Sequence, residues 1–155
     1  MMDFSSKNFR VSYTYDITNC PGNAEYYLAD GFFIAFQNQG NTMIGVGGGG
    51  KGFGNIANGL GIGYEAYDTK QIQFALSEPS ALNYPNDLNV IQNSSATFAP
   101  LGFNKTFSVE YLASQTLWNV FVGNDLLFSY NYDYTSIFSP GTQTLVPQKE
   151  KKNLI

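Results

Sequence analysis

Histidine is absent from this 155-residue chain, cysteine and arginine occur once each, and charged residues make up only 13% of it. Each shortage closes a class of chemistry. Without imidazole there is no Ser-His-Asp triad, no His-ligated zinc or haem, and no imidazole acid–base catalysis. The lone thiol, Cys20, leaves no intrachain disulfide, no CxxC redox pair and no zinc-finger ligand set. It stands in the turn-like Asn19-Cys20-Pro21-Gly22, where it either pairs between chains or stays an inert thiol. A single guanidinium, Arg10, and a net charge of −4 argue against a surface that tracks phosphates, so no nucleic-acid partner is expected. Lys149, Lys151 and Lys152 face only Glu150 near the C-terminus, which leaves the rest of the chain more acidic than the net figure. No run reaches the roughly 18 uncharged apolar residues of a membrane span, so no direct membrane insertion is expected. Met1 to Phe9 lacks the basic start and apolar run of a signal peptide.

Aromatics are plentiful. Thirteen Phe and 11 Tyr, within a 43% apolar composition, are enough to bury a sizeable core. The hydrophobic period is two almost throughout. Phe9, Val11, Tyr13, Tyr15 and Ile17 alternate with polar residues, as in a half-buried strand. Gly31 to Gln37 is almost continuously apolar and predicts a strand covered on both faces. Leu60 to Thr69 and Asp87 to Gln92 predict two further strands. Thr106 to Leu112 and Leu117 to Val122 predict another pair, and Gly123-Asn124-Asp125 a hairpin into Leu126 to Tyr130, with Trp118 in the core. No window has helical apolar spacing. The expected fold is therefore all-β, an antiparallel sandwich or jelly roll with few or no helices, over residues 1–138. Residues 139–155, with two Pro and the Lys cluster, read as a C-terminal tail or arm.

Gly45 to Gly54, GVGGGGKGFG, almost spells two phosphate-binding motifs. Gly45, Gly50 and Lys51 have GxxxxGK spacing, but Gly52 stands where Mg²⁺ coordination needs a hydroxyl. Gly47, Gly49 and Gly52 fit GxGxxG, yet no amphipathic helix follows to hold a pyrophosphate. Close backbone approach between strands accounts for the glycines better. The surviving functional use is a loop whose bare N–H groups approach a neutral polar ligand.

In order, Phe9 to Ile17, Ala29-Asp30-Gly31, the Gly loop and Tyr67-Asp68-Thr69 resemble the core of L-type (legume-type) lectin domains. The likeness runs from Phe9 to about Asp133, with Ala29 to Thr69 its specific part, and FSVEYLASQTLWNVFVGNDLLFSY resembles the family's later strand pair. It implies a concanavalin A-like jelly roll that binds sugars of glycans or glycoproteins. By the same resemblance Asp30 would accept sugar hydroxyls, and Gly48, Gly49 and Gly50 would donate backbone N–H groups. Tyr84 or Tyr67 would serve as an aromatic platform, and Asn86 would join the sugar site. The structural alternative for Asp30 is a turn residue that caps the start of a strand.

The family's metal ligands are altered. Ala66 replaces the expected Glu, with Glu65 on the opposite strand face; Ile72 replaces an Asn, and Asp87 stands for the His. Calcium could draw on Asp68, Glu78, Asn86 and Asp87, the alternative being solvated loop carboxylates. No transition metal is expected without the Glu and the imidazole. The family's first and last strands are also not recognised, which implies a sheet edge completed by another protein chain or by oligomerisation. Asn93-Ser94-Ser95 and Asn104-Lys105-Thr106 are N-glycosylation sequons, in keeping with an extracellular, cell-surface or virion-surface setting. Glu65 has no second Glu two residues along, so no glycosidase pair is expected and the module reads as non-enzymatic. The expected function is a carbohydrate-binding, lectin-like recognition module. Its alternative is a structural subunit of a filament, cell surface or virion that keeps the fold without binding sugar.

Overall fold

Alternation of period two builds β1 (Phe9–Ile17), whose residues switch between half-buried and exposed without interruption. The computed structural model describes residues 6–17, 30–37, 39–40, 42–67, 69–77, 88–97, 102–136 and 144–146. The other strands are β2 (Gly31–Gln37), β3 (Gly59–Glu65), β4 (Gln71–Ser77), β5 (Leu88–Thr97), β6 (Gly102–Leu112), β7 (Leu117–Val122), β8 (Asp125–Asn131) and β9 (Thr144–Val146). They form two antiparallel sheets, ordered β1-β6-β7-β8 and β5-β4-β3-β2-β9. Helical structure among the described residues is confined to three-residue 3₁₀ turns. The fold is an antiparallel β-sandwich.

The bounds of β1, β2 and β7 coincide with the apolar patterns that predict them. The strand expected over Leu60 to Thr69 stops at Glu65, and β5 runs on to Thr97 rather than ending at Gln92. β4 follows the turn at 66–70 and pairs with β3 from Gly59↔Ser77 to Tyr64↔Ile72. Part of the segment expected as a tail forms β9, which pairs with β2 at Ala35↔Val146, Phe36↔Leu145 and Gln37↔Thr144. Cys20 lies outside the described residues.

One core lies between the sheets. Ile34, Phe36, Leu60, Ile62 and Phe74 from one sheet meet Phe107, Val109, Tyr111, Trp118 and Val120 from the other. β2 and β3 are buried on their second face too. There Phe33 and Ala35 pack with Phe53, Ile56 and Ala75. Phe53 comes from the glycine loop, and burying such a ring is worth about 1.5–3 kcal/mol. Its seat explains the glycines of β3: a Cβ on Gly61 would lie 2.6 Å from the Phe53 ring and 2.7 Å from the Phe33 ring. With no side chain there, the two rings stack at 5.9 Å and 12°. The near-continuous apolar run of β2 thus answers to a second, smaller core.

Tyr13, Tyr15 and Tyr64 surround Phe32, with ring centroids 5.5, 5.4 and 6.0 Å from it. The Tyr13 and Tyr15 hydroxyls are buried with no hydrogen-bond partner among the described residues. Burial raises the Tyr13 pKa, helped by the charge on Tyr15. Burial pushes Tyr15 up to about 12. Tyr64 is pushed up to about 12 by burial, then by the charges of Glu65 and Tyr15. In the unfolded chain these hydroxyls ionise near pH 10, so above that pH the unfolded state binds fewer protons than the folded one. Stability is therefore full below about pH 10 and falls as pH rises toward 12. Urea midpoints should drop over that window, with tyrosinate absorbance from these groups appearing only with unfolding. Tyrosinate formation by all tyrosines near pH 10 in the folded protein would contradict it.

Candidate functional site

Gly31 has φ +125°, and a Cβ there would lie 1.9 Å from the Tyr64 carbonyl oxygen. Only glycine permits this close approach of β2 to the end of β3. The approach brings Asp30 against the turn after β3, where the Ala66 N–H donates to the Asp30 carbonyl at 3.1 Å. Gly31 thus lets the Asp30 backbone lie against that turn.

The glycine loop is a compact, self-bonded hairpin. The Val46 N–H donates to the Gly54 carbonyl at 2.8 Å and the Gly52 N–H to the Val46 carbonyl at 2.9 Å. Gly48–Gly50 form a 3₁₀ turn closed by Lys51, whose N–H donates to the Gly48 carbonyl at 2.7 Å. Beyond the hairpin, the Ile56 N–H donates to Ser77 Oγ at 2.9 Å, which ties the loop's descent to β4. Lys51 has φ 51°, in the left-handed region. Its Nζ donates to the Gly49 carbonyl at 3.3 Å and stands 5.8 Å from the Phe33 ring centre. Burial lowers the Lys51 pKa, opposed by the charges of Glu65 and Asp30.

Glu65, only 5% exposed, ends β3. Its Oε1 accepts the Tyr67 N–H at 2.8 Å; its Oε2 accepts the Thr69 N–H at 2.5 Å and the Thr69 hydroxyl at 3.1 Å. The carboxylate thus shapes the turn that carries Tyr67, whose side chain is exposed.

These parts line one cleft of about 320 Å³, bounded by Asp30, Gly49, Lys51, Glu65, Tyr67, Thr69 and Gln73, with Leu88 and Val90 of β5 as an apolar wall. Of the expected sugar-site residues it brings together Asp30 and Gly49, with Tyr67 of the two platform candidates. Gly48 is the neighbour of Gly49 in the 3₁₀ turn, whereas Gly50 is buried and its N–H donates to the Gly47 carbonyl at 3.2 Å. Tyr84 and Asn86 lie outside the described residues, as do the expected calcium ligands Asp68, Glu78 and Asp87. Among the described residues no three or more His, Cys, Asp or Glu side chains cluster as metal ligands. Gln73 and the β5 wall are additions to the expected set. The signal for Gln73 is a polar residue inside the apolar run of β4, next to Ile72 and Phe74.

Chemically, the cleft offers carboxylates at Asp30 and Glu65, one ammonium, an amide, an exposed phenol ring and an aliphatic wall. A free anion entering it meets the negative charge of Asp30 and Glu65, while most loop amides already serve the loop's own carbonyls. A neutral, hydroxylated ring finds both acceptors and donors. Compared with models of protein families and with curated proteins, the chain matches none of them.

Proposed function

We propose that this protein is a non-enzymatic, carbohydrate-binding recognition module of lectin-like kind. The observation that carries the proposal is the convergence of Asp30, Gly49 and Tyr67 on a single cleft. There the Asp30 carboxylate accepts hydroxyl hydrogens, the glycine turn lets a ring approach the backbone, and the Tyr67 ring faces the sugar's C–H surface. Both Glu65 oxygens are engaged by the turn they shape, which supports a positioning role over nucleophilic chemistry. An extracellular or surface setting fits the exposed sequon residues Asn93 and Asn104.

The test is a glycan array probed with wild-type protein and Asp30→Ala, each with and without calcium. The wild type should bind a restricted set of glycans, and Asp30→Ala should weaken that signal by about tenfold or more, as loss of a charged hydrogen bond does. A silent array, or one unaffected by Asp30→Ala, would sink the sugar reading. The calcium arm decides whether an ion is needed to shape the site.

A second reading, an assembly subunit, draws on β1. This nine-residue strand pairs only with β6 among the described strands, and its other edge can accept a further strand. A silent array together with regular, concentration-dependent assemblies in sedimentation would favour it.

A further inference from the structure

Gln73 has a buried acceptor that the fold itself does not use. The residue is 5% exposed, and its Oε1 has no hydrogen-bond partner among the described residues. Its direction follows from the pleat. Ile72 and Phe74 enter the core between the sheets, so Gln73 faces the opposite side, and it lines the cleft with Asp30 and Lys51. A buried, unpaired amide oxygen is unfavourable, and a partner from outside the chain is one way in which such a group is completed.

The surroundings narrow what that partner is. Leu88 and Val90 form an aliphatic wall of the same cleft, with Val90 opposite Ala75 in the strand register. Hydroxyls gain nothing from such a wall; a methyl group does. Lys51 is the cationic donor of the lining, and Asp30 and Glu65 outnumber it, which disfavours carboxylated or sulfated sugars. The volume of about 320 Å³ lies at the small end of ligand sites and suits one sugar ring with a substituent.

We propose that the cleft selects a terminal 2-acetamido sugar, whose amide N–H donates to Gln73 Oε1 and whose methyl group packs on Leu88 and Val90. The acetamido carbonyl then accepts from Lys51, and ring hydroxyls donate to Asp30. This inference rests on the carbohydrate reading and adds the class of sugar and two kinds of selecting residue.

Calorimetric titration with N-acetylglucosamine, N-acetylgalactosamine, their parent hexoses and glucosamine tests it. At least one acetamido sugar should bind about tenfold tighter than both its parent hexose and the free amine. Gln73→Leu should erase that margin and keep or raise Tm, since it removes the unpaired acceptor. Val90→Thr, at an exposed position, should reduce the margin by removing part of the wall for the methyl group. Equal affinity for acetamido and parent sugars, with binding still dependent on Asp30, would overturn this inference and leave the carbohydrate reading standing. A margin that survives Gln73→Leu would also overturn it. Absence of any sugar binding by the wild type would overturn both.

Discussion

Replacing Trp118 with alanine should lower the free energy of unfolding by about 3–5 kcal/mol, the range for deleting a large buried aromatic. Trp118 is fully buried and sits where the two sheets meet. Its ring lies 5.2 Å from Phe36 and 5.7 Å from Phe74 of the facing sheet, and 4.6 Å from Tyr111 of its own. Phe9 at 5.8 Å and Tyr134 at 5.3 Å close the cage. The indole N–H donates to the Tyr132 carbonyl at 3.0 Å, so the deletion leaves an unpaired carbonyl as well as a cavity. Domains of this kind have about 5–15 kcal/mol of stability in all, so the variant loses a large share of it. Urea denaturation should show a much lower midpoint with an unchanged slope. Trp118→Phe keeps much of the ring volume and should lose clearly less. A Trp118→Ala variant within about 1 kcal/mol of wild type would mean that the cage is not packed as described.

Glu65→Ala should cost about 2–4 kcal/mol, because it strips the acceptor from two backbone N–H groups, those of Tyr67 and Thr69. The effect should also be local. Hydrogen exchange at the amides of Tyr67 and Thr69 should accelerate far more than at Ile62 or Phe74, which lie in the paired centre of the sheet. Glu65→Gln keeps one carbonyl oxygen and should lose roughly half as much. Uniform acceleration across β3 and β4 would instead assign Glu65 a global role. Because Tyr67 rides on this turn, Glu65→Ala should also weaken whatever ligand the cleft holds.

Strand content was legible wherever one rule governed a segment. Phe9 to Ile17 alternates because one face meets the core and the other meets solvent, and its bounds follow directly. The unbroken run in β2 signals cover on both faces, although nothing local says that Phe53, some 20 residues later in the chain, supplies the second cover. β4 carries its own alternation, with Ile72 and Phe74 inward and Gln71 and Gln73 outward. Reading β3 through to Thr69 hides it, because the turn is made by Glu65, whose carboxylate accepts hydrogen bonds two and four residues ahead. Asp30 and the glycine loop were visible as candidates, but their convergence depends on the β2–β3 register, Gly31↔Glu65 to Phe36↔Leu60. The placement of Gln73 depends in turn on the β3–β4 register. Such pairings join residues far apart in sequence and leave no local trace.

The pairing of β1 with β6 also sets the order in which the molecule can be made. Ser12 and Ser108, whose hydroxyls hydrogen-bond at 2.8 Å, are 96 residues apart, whereas β2 to β5 and β6 to β8 each join neighbours in sequence. Hairpins that close short loops form in microseconds, but a loop of this length imposes a far larger entropic barrier. Among the described strands, β1 is therefore one of the last to dock. Until β6 exists, the row Phe9, Val11, Tyr13 and Tyr15 lacks the strand it pairs with, which leaves it open to other chains as well as to its own.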